Sequence, residues 1–206
     1  MPKRKTILDR NTSKSETLYY TEIATWLKNY VNAALRRLGD YLVDAEVCHP
    51  GHLSEGIAKL MVRNNIKAAE LKRKIAFTRE LKTDIILLIY DVTSQKGEIV
   101  VCEVKKKKGL SLMDCSQLLG YCISADVNFG LLINVDGGLT DTFREILTQN
   151  TTLTHVIQTV NDEKKIRKIA FLTWESKTRR AIFLPNGYFK NLREFSQEIS
   201  NCLKQS

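Results

Sequence analysis

The sequence predicts an α/β fold in which a central mixed β-sheet is flanked by helices. Two strand-forming runs, 84–91 (DIILLIYD) and 98–105 (EIVVCEVK), are almost continuously apolar, which indicates a sheet covered on both faces. Segments with the three-to-four-residue apolar spacing of amphipathic helices precede and follow these runs. The length of 206 residues and the hydrophobic fraction of 43% are typical of one globular domain with a sizeable core.

The chain begins with a polar, basic segment that lacks apolar periodicity. Residues 1–15 are predicted to form a basic N-terminal arm, and residues 16–206 to form the single domain. An amphipathic helix is predicted after the arm, with apolar positions from Tyr19 to Leu38 and with Gly39 as its C-terminal stop.

Strands and helices alternate through the rest of the chain. A first strand is predicted over 41–48, and a helical insertion rich in Lys and Arg over about 53–77. A polar turn ending in Gly97 separates the two apolar runs, so we expect them to pair as a hairpin. A C-terminal extension over about 150–206 is expected to extend the sheet. The other predicted elements are helices over 111–124 and 140–149, strands near 129–135, 155–160, 168–174 and 180–184, and a final amphipathic helix carrying Leu192, Phe195, Ile199 and Leu203.

The balance of charge favours a polyanionic partner. The net charge is +9 and the pI about 9.3, and clustered Lys and Arg release counterions when they neutralise phosphates. A basic balance of this size also occurs in proteins that bind no nucleic acid, so both interpretations stay open.

Location is predicted from what the sequence lacks. No apolar stretch approaches the ~20 residues that span a bilayer, and residues 1–10 lack the apolar core of a secretory signal. The five cysteines are scattered without a C-x-x-C pair, so we expect small buried apolar residues in a reducing compartment. We therefore expect a soluble, intracellular protein in the cytoplasm, without a membrane partner.

The strand 98–105 carries the residues of chemical interest. Glu103 and Lys105 are two residues apart, so their side chains share one face of the strand. Asp84, at the start of the preceding strand, would lie beside that face in a hairpin. Two carboxylates and one ammonium suit phosphodiester hydrolysis with Mg²⁺ or Mn²⁺, for which the carbonyl of Val104 offers a further oxygen. Lys105 would orient or deprotonate the attacking water and offset charge.

Charges at strand ends are common, and a lone E-x-K would favour an ordinary solvated turn. The order and spacing of these residues favour a catalytic site instead. With them the sequence resembles the PD-(D/E)XK nuclease superfamily, including its Holliday-junction-resolvase-like and RecB-like members. The matching segments, in order over about residues 13–135, are SETLYYTEIATWL, TDIILLIYD, EIVVCEVKK, the helix containing DCSQLLGY, and FGLLINV.

The resemblance implies a restriction-endonuclease-like core of a helix, a three-stranded meander, a helix and a further strand. It makes Asp84 the metal-binding aspartate, and Glu103 and Lys105 the paired acid and lysine. Thr83 stands where the proline of the motif would be, which is a departure from the pattern.

Glu16 would match a glutamate that many members of this superfamily carry in the first helix, where it helps to hold the metal. It shares a helical stripe with Tyr20. Ser13 and Glu16 also form a capping-box pattern, S-x-x-E, and Glu22 offers an alternative acid. These interpretations stay open.

Gln117 and Tyr121 are one helical turn apart and are similar to the Q-x-x-x-Y element of some RecB-like members. Such a glutamine would hydrogen-bond the substrate or hold the site lysine, and Tyr121 would lie beside the DNA. The lysine run Lys106, Lys107 and Lys108 is predicted to contact DNA phosphates, with residues 72–74 and 164–168 tracking phosphates near the same site.

The resulting hypothesis is a Mg²⁺- or Mn²⁺-dependent DNA endonuclease. Small size favours a structure-selective enzyme for junction or branched DNA in repair, recombination or viral genome processing. The alternatives are a nucleic-acid-binding protein that retains the fold without turnover, and a purely structural or partner-binding protein. We expect a homodimer that presents two sites to one DNA molecule, paired through the helical insertion or the C-terminal helix.

Overall fold

The computed structural model describes residues 7–160 and 163–205. The helices are α1 (Ile7–Leu35), α2 (Leu53–Arg63), α3 (Ala69–Phe77), α4 (Leu112–Ser124), α5 (Asp141–Gln149) and α6 (Leu192–Gln205), with a 3₁₀ turn at Thr151–Thr154. The strands are β1 (Tyr41–Val47), β2 (Ile85–Asp91), β3 (Lys96–Lys105), β4 (Gly109–Leu110), β5 (Phe129–Val135), β6 (Gly138–Leu139), β7 (His155–Val160), β8 (Glu163–Glu175) and β9 (Arg180–Phe183).

Seven strands form one mixed sheet in the order β1-β2-β3-β5-β8-β7, with β9 also paired to β8. The strands β1, β2 and β3 pair in antiparallel fashion. A short turn joins β2 to β3, whereas α2 and α3 lie between β1 and β2 along the chain. The strands β3, β5 and β8 are parallel, and α4 provides the crossover from β3 to β5. The mixed sheet, the hairpin of β2 and β3, and the extension of the sheet by the C-terminal part are thus confirmed.

Both faces of the sheet are covered by helices. On β2, Ile85, Leu87 and Ile89 pack into a core with α1 and α6, whereas Ile86 and Leu88 pack into a second core with α2, α4 and α5. Alternate residues therefore enter opposite cores, and both sets must be apolar. This arrangement explains the near-continuous apolar runs.

The first helix begins earlier than expected. It starts at Ile7, so the expectation that the helix begins only after residue 15 is wrong, and residues 7–15 of the predicted basic arm are helical. Residues 1–6 lie outside the described residues. Ser13 and Glu16 lie inside this helix, so the capping-box interpretation is also wrong. The physical reason is that extending a helix already anchored by a buried stripe costs little, even through a polar sequence.

Two other elements refine the predictions. The strand expected over 168–174 is longer, because its first half pairs with β7 and its second half with β9. The insertion over 53–77 is helical as predicted, but it divides into α2 and α3.

The apolar faces suggested for dimerisation are buried within the chain itself. On α2, Leu53, Ile57 and Leu60 are 0% exposed, and on α6, Phe195 and Ile199 are 0% exposed. Their placement on the sheet gives the simpler explanation for the two amphipathic patterns. These buried faces are therefore not free to pair two copies of the chain, and the homodimer itself stays a prediction.

Four of the five cysteines are buried, as expected, and Cys202 is partly exposed. Among the helices within the described residues, none combines the length and hydropathy needed to cross a membrane.

Candidate active site

The hairpin register places Asp84 and Glu103 side by side. Ile85 pairs with Cys102, so the next opposed positions are Asp84, which precedes β2, and Glu103 near the end of β3. Both acids are buried, with 8% and 6% of their surface exposed. Thr83, which directly precedes Asp84, donates a hydrogen bond from its hydroxyl to the Cys102 carbonyl at 3.0 Å and so links the two strands.

The Asp84 carboxylate accepts hydrogen bonds from two elements. The backbone N–H of Val104 donates to its Oδ2 at 2.8 Å, and the hydroxyl of Tyr20 on α1 donates to its Oδ1 at 2.8 Å. His49, on the loop after β1, brings Nδ1 to 3.9 Å from the same Oδ1. Asp84 is thus held between β3 and the first helix, α1.

Glu103 lies between a lysine and a glutamine. Lys105 donates from Nζ to Glu103 Oε1 at 2.7 Å, and Gln117 Nε2 donates to the same oxygen at 3.4 Å. Gln117 also donates to the Tyr121 hydroxyl at 2.8 Å. The predicted pair on α4 therefore reaches the candidate site, where Gln117 contacts the acid of the E-x-K motif instead of its lysine.

The pKa values of Glu103 and Lys105 are both raised. Burial, followed by the negative charge of Asp84, raises the pKa of Glu103 from 4.5 to about 7. Burial alone would lower the pKa of Lys105, but the neighbouring Glu103 carboxylate outweighs burial and raises it. The ammonium of Lys105 therefore stays charged near neutral pH.

Glu16 lies at the edge of the same site. Its Oε1 accepts a hydrogen bond from the backbone N–H of Lys106 at 2.8 Å. Burial raises its pKa, the Lys106 N–H opposes this rise, and the charge of Asp84 adds to it. Glu22, the alternative acid, instead lies 3.5 Å from Arg179. The geometry therefore favours Glu16 over Glu22 as the acid of α1 near the site.

The lysine run after β3 is held by neighbouring side chains. Lys106 donates from Nζ to the Tyr19 hydroxyl at 3.1 Å, and Lys107 pairs with the Asp114 carboxylate. Asn134 on β5, which is 0% exposed, accepts from the Lys107 N–H at 3.2 Å and donates to the Lys107 carbonyl at 3.0 Å. Lys108 is exposed. The run forms an anchored basic loop at the end of the sheet that carries the acids.

Gly137 lies beside the hydrogen bonds that join Asn134 to the Lys107 backbone, and a larger residue would not fit there. A Cβ on Gly137 would meet Asn134 Nδ2 at 2.5 Å and the Lys107 carbonyl oxygen at 2.6 Å. The close approach of two backbone segments around one buried amide therefore depends on the missing side chain. The short parallel pair of β4 with β6 joins the same two loops.

The other basic segments lie elsewhere. Residues from 72–74 and 164–168 line a cleft of about 660 Å³ together with Gly97 and Glu98 at the beginning of β3. Glu98 and Glu103 are five residues apart on one strand, which is roughly 17 Å. Within the cleft Lys165 is paired with Asp126 at 2.8 Å. These segments therefore do not lie beside Asp84 and Glu103, and the expectation that they follow phosphates near that site is wrong.

Three site residues were missed by reasoning from the sequence: Tyr20, His49 and Asn134. For His49 a signal was present, because the end of an antiparallel β1 must lie beside the beginning of β2. The sequence placed Tyr20 on a buried helical stripe, but it does not show that the Tyr20 hydroxyl contacts Asp84. Asn134 is a polar residue within an apolar strand, which often marks a buried hydrogen-bonding role.

The donor set can be compared with the needs of a metal ion. The described residues contain no group of three or more His, Cys, Asp and Glu side chains placed to hold one. Asp84 and Glu103 are a two-carboxylate set, which suits a hard cation that takes its other ligands from carbonyl and water oxygens.

Comparisons of the chain with protein-family models, with curated proteins and with solved structures found no match.

Proposed function

We propose that this protein is a divalent-metal-dependent DNA endonuclease that hydrolyses phosphodiester bonds, with a restriction-endonuclease-like core. The observation that carries the proposal is the buried pair Asp84 and Glu103, with Lys105 bonded to Glu103 at 2.7 Å. Two adjacent buried carboxylates with one nearby ammonium leave negative charge that a cation would neutralise. This is the chemistry expected of a site that binds a metal ion and a phosphate together.

The residues fit Mg²⁺ or Mn²⁺. Asp84 and Glu103 would hold the ion, with the carbonyl of Val104 as a further oxygen and Glu16 at the margin of the shell. When bound, the ion would polarise a phosphate oxygen and lower the pKa of a water molecule. Burial and the charge of Asp84 raise the pKa of Glu103, and a bound cation would oppose this rise by favouring the ionised carboxylate.

The side chains around the acids have separate roles in this proposal. Lys105 orients the attacking water and offsets the charge that develops on the phosphate. Its raised pKa favours this role over proton abstraction. Gln117 holds Glu103, and Tyr121 holds Gln117 through its hydroxyl. Removing Gln117 should therefore reduce cleavage less than removing either acid.

The basic loop of Lys106, Lys107 and Lys108 supports DNA as the substrate. It follows β3 directly, and Lys107 and Lys108 are exposed residues, so the loop would contact phosphates on either side of the scissile bond. Within the proposal, the substrates are junction or branched DNA in repair, recombination or viral genome processing.

A homodimer would bring two such sites to one DNA molecule. Since the apolar faces of α2 and α6 are buried in the chain, the dimer would use other surfaces. Sedimentation at micromolar concentration tests this part alone, because a strict 23.6 kDa monomer with and without DNA would contradict it and leave the nuclease standing.

The activity is tested with labelled linear, branched and supercoiled DNA in Mg²⁺ or Mn²⁺, with EDTA as the reference. We expect cleavage by the wild type and none by Asp84→Ala or Glu103→Ala, since each loses a metal ligand. Glu145→Ala, at an exposed position on α5, is the matched control and should cut like the wild type. DNA binding should persist in the inactive variants.

Two results would contradict the proposal. Intact DNA under every metal condition, with a folded sample, would remove the nuclease assignment. Salt-sensitive DNA binding without cleavage, unchanged in Glu103→Ala, would favour a nucleic-acid-binding protein that retains the fold without turnover.

A further inference from the structure

The carboxylate of Asp84 receives a hydrogen bond on each oxygen, and the two donors come from different elements. The Val104 N–H donates to Oδ2 at 2.8 Å and the Tyr20 hydroxyl donates to Oδ1 at 2.8 Å. A carboxylate held on both oxygens cannot rotate about its Cβ–Cγ bond without breaking one of these contacts. The direction of its remaining lone pairs is therefore set in advance.

Tyr20 is well suited to this task. It is 4% exposed, and its ring lies edge-on to the His49 ring with the centroids 5.6 Å apart. A phenol hydroxyl has one proton to donate, and in Tyr20 that hydrogen bond goes to Asp84 Oδ1.

The helix that carries Tyr20 is fastened at the same end of the sheet. One turn before Tyr20, Glu16 accepts the hydrogen bond from the Lys106 N–H, and Tyr19 accepts one from Lys106 Nζ. Three contacts thus join α1 to the residues around the end of β3. A hydroxyl on a helix held in this way can keep a neighbouring carboxylate in a fixed direction.

We propose that Tyr20 is a positioning residue that orients Asp84 for binding of the divalent cation. The inference rests on the proposed function, because it concerns the same metal-binding carboxylate. Hydrogen-bond partners of metal-ligating groups typically change metal affinity or activity by about 10–100-fold when they are removed. Tyr20 thus sets the concentration of metal that the site needs, and Asp84 itself remains the ligand.

The test measures metal binding directly and does not depend on cleavage. Purified full-length protein without DNA is titrated with Mn²⁺, and the free ion is measured by electron paramagnetic resonance. Tyr20→Phe removes only the hydroxyl. We expect its Kd for Mn²⁺ to rise by at least about 10-fold. Tyr30→Phe is the matched control, because Tyr30 lies on the same helix with its ring stacked on Trp26, and its Kd should equal that of the wild type.

A second variant and a second measurement separate positioning from a structural role. Tyr20→Leu also lacks the hydroxyl and should raise the Kd in the same direction, with folding of both variants checked by circular dichroism. Cleavage by Tyr20→Phe should return toward the wild-type rate as Mn²⁺ is raised, since the chemistry of the cut is intact.

The possible failures can be distinguished. A wild type that binds Mn²⁺ and cuts DNA, with equal affinity in Tyr20→Phe, overturns the positioning role alone. Cleavage by Tyr20→Phe that stays low at saturating Mn²⁺ also overturns it, since the defect would then lie beyond metal binding. A wild type that neither binds Mn²⁺ nor cuts DNA overturns both this inference and the proposed function.

Discussion

Replacing Glu103 with Gln should make the protein more stable, although it removes a residue of the candidate active site. The pKa of Glu103 is raised from 4.5 to about 7, by burial first and then by the charge of Asp84. The ionised form of this side chain is therefore less favourable in the folded chain than in the unfolded chain. Gln is close to Glu in shape and carries no charge, so it relieves this cost.

The sign of the effect depends on pH. Below about pH 4.5 Glu103 is protonated in both states, so its ionisation costs nothing. As pH rises from about 4.5 to about 7, the unfolded chain releases the proton and the folded chain retains it, and the cost grows. Above about pH 7 both states are ionised and the cost is constant.

The size of the effect follows from the two pKa values. One pKa unit corresponds to about 1.36 kcal/mol, so the full cost is roughly 3 kcal/mol. Gln does not reproduce every contact of the protonated acid, and we expect Glu103→Gln to raise the free energy of unfolding by roughly 1–3 kcal/mol at pH 8. At pH 4 the difference should fall close to zero.

The assay is urea unfolding of both proteins in EDTA at pH 4, 6 and 8, followed by circular dichroism. Glu145→Gln is the matched control, since Glu145 is exposed, and it should change stability little at any pH. A Glu103→Gln variant that is less stable than the wild type at pH 8, or equally stabilised at pH 4 and 8, would refute the reasoning. Such a result would mean that the contact of Glu103 with Lys105 outweighs burial.

Three further predictions concern the loop and helix around the acids. Asn134→Leu leaves the Lys107 N–H and carbonyl without their buried partner. It should lower the free energy of unfolding, measured with urea, by roughly 2–4 kcal/mol. An unchanged unfolding midpoint would show that the hydrogen bonds of Asn134 contribute nothing to stability. Lys108→Ala should weaken DNA binding and reduce the slope of log affinity against log salt by about one; an unchanged slope would remove Lys108 from the DNA contact. Glu16→Gln keeps an acceptor for the Lys106 N–H but loses the charge, so cleavage should fall by about 10–100-fold while the fold persists. Full activity in that variant would limit the role of Glu16 to its hydrogen bond with the backbone N–H of Lys106.

The strands, and the grouping of Asp84, Glu103 and Lys105, could be predicted from local patterns. Side chains alternate along a strand with a period of two, so Glu103 and Lys105 had to share a face wherever β3 lay. A short polar turn between two apolar strands favours a hairpin, and the hairpin brought Asp84 opposite Glu103. These inferences needed only neighbours along the chain or a single turn.

Helix packing and the ends of elements required the tertiary structure. The start of α1 at Ile7 could not be predicted, because a polar segment carries no apolar stripe that marks where a helix begins. Similarly, an amphipathic pattern shows that one face of α2 or α6 is buried, but it does not tell whether its own sheet or a second chain covers that face.

The sequence by itself therefore determined which residues share a strand face: the pair Glu103 and Lys105, with Asp84 across the hairpin. Only the tertiary structure decided which distant groups meet them. The Tyr20 hydroxyl reaches Asp84 across 64 positions of sequence, and the basic segments 72–74 and 164–168 gather at the opposite end of β3. The physical reason is range: periodicity follows from the geometry of neighbouring peptides, whereas contacts between elements depend on how the whole chain packs both faces of one sheet.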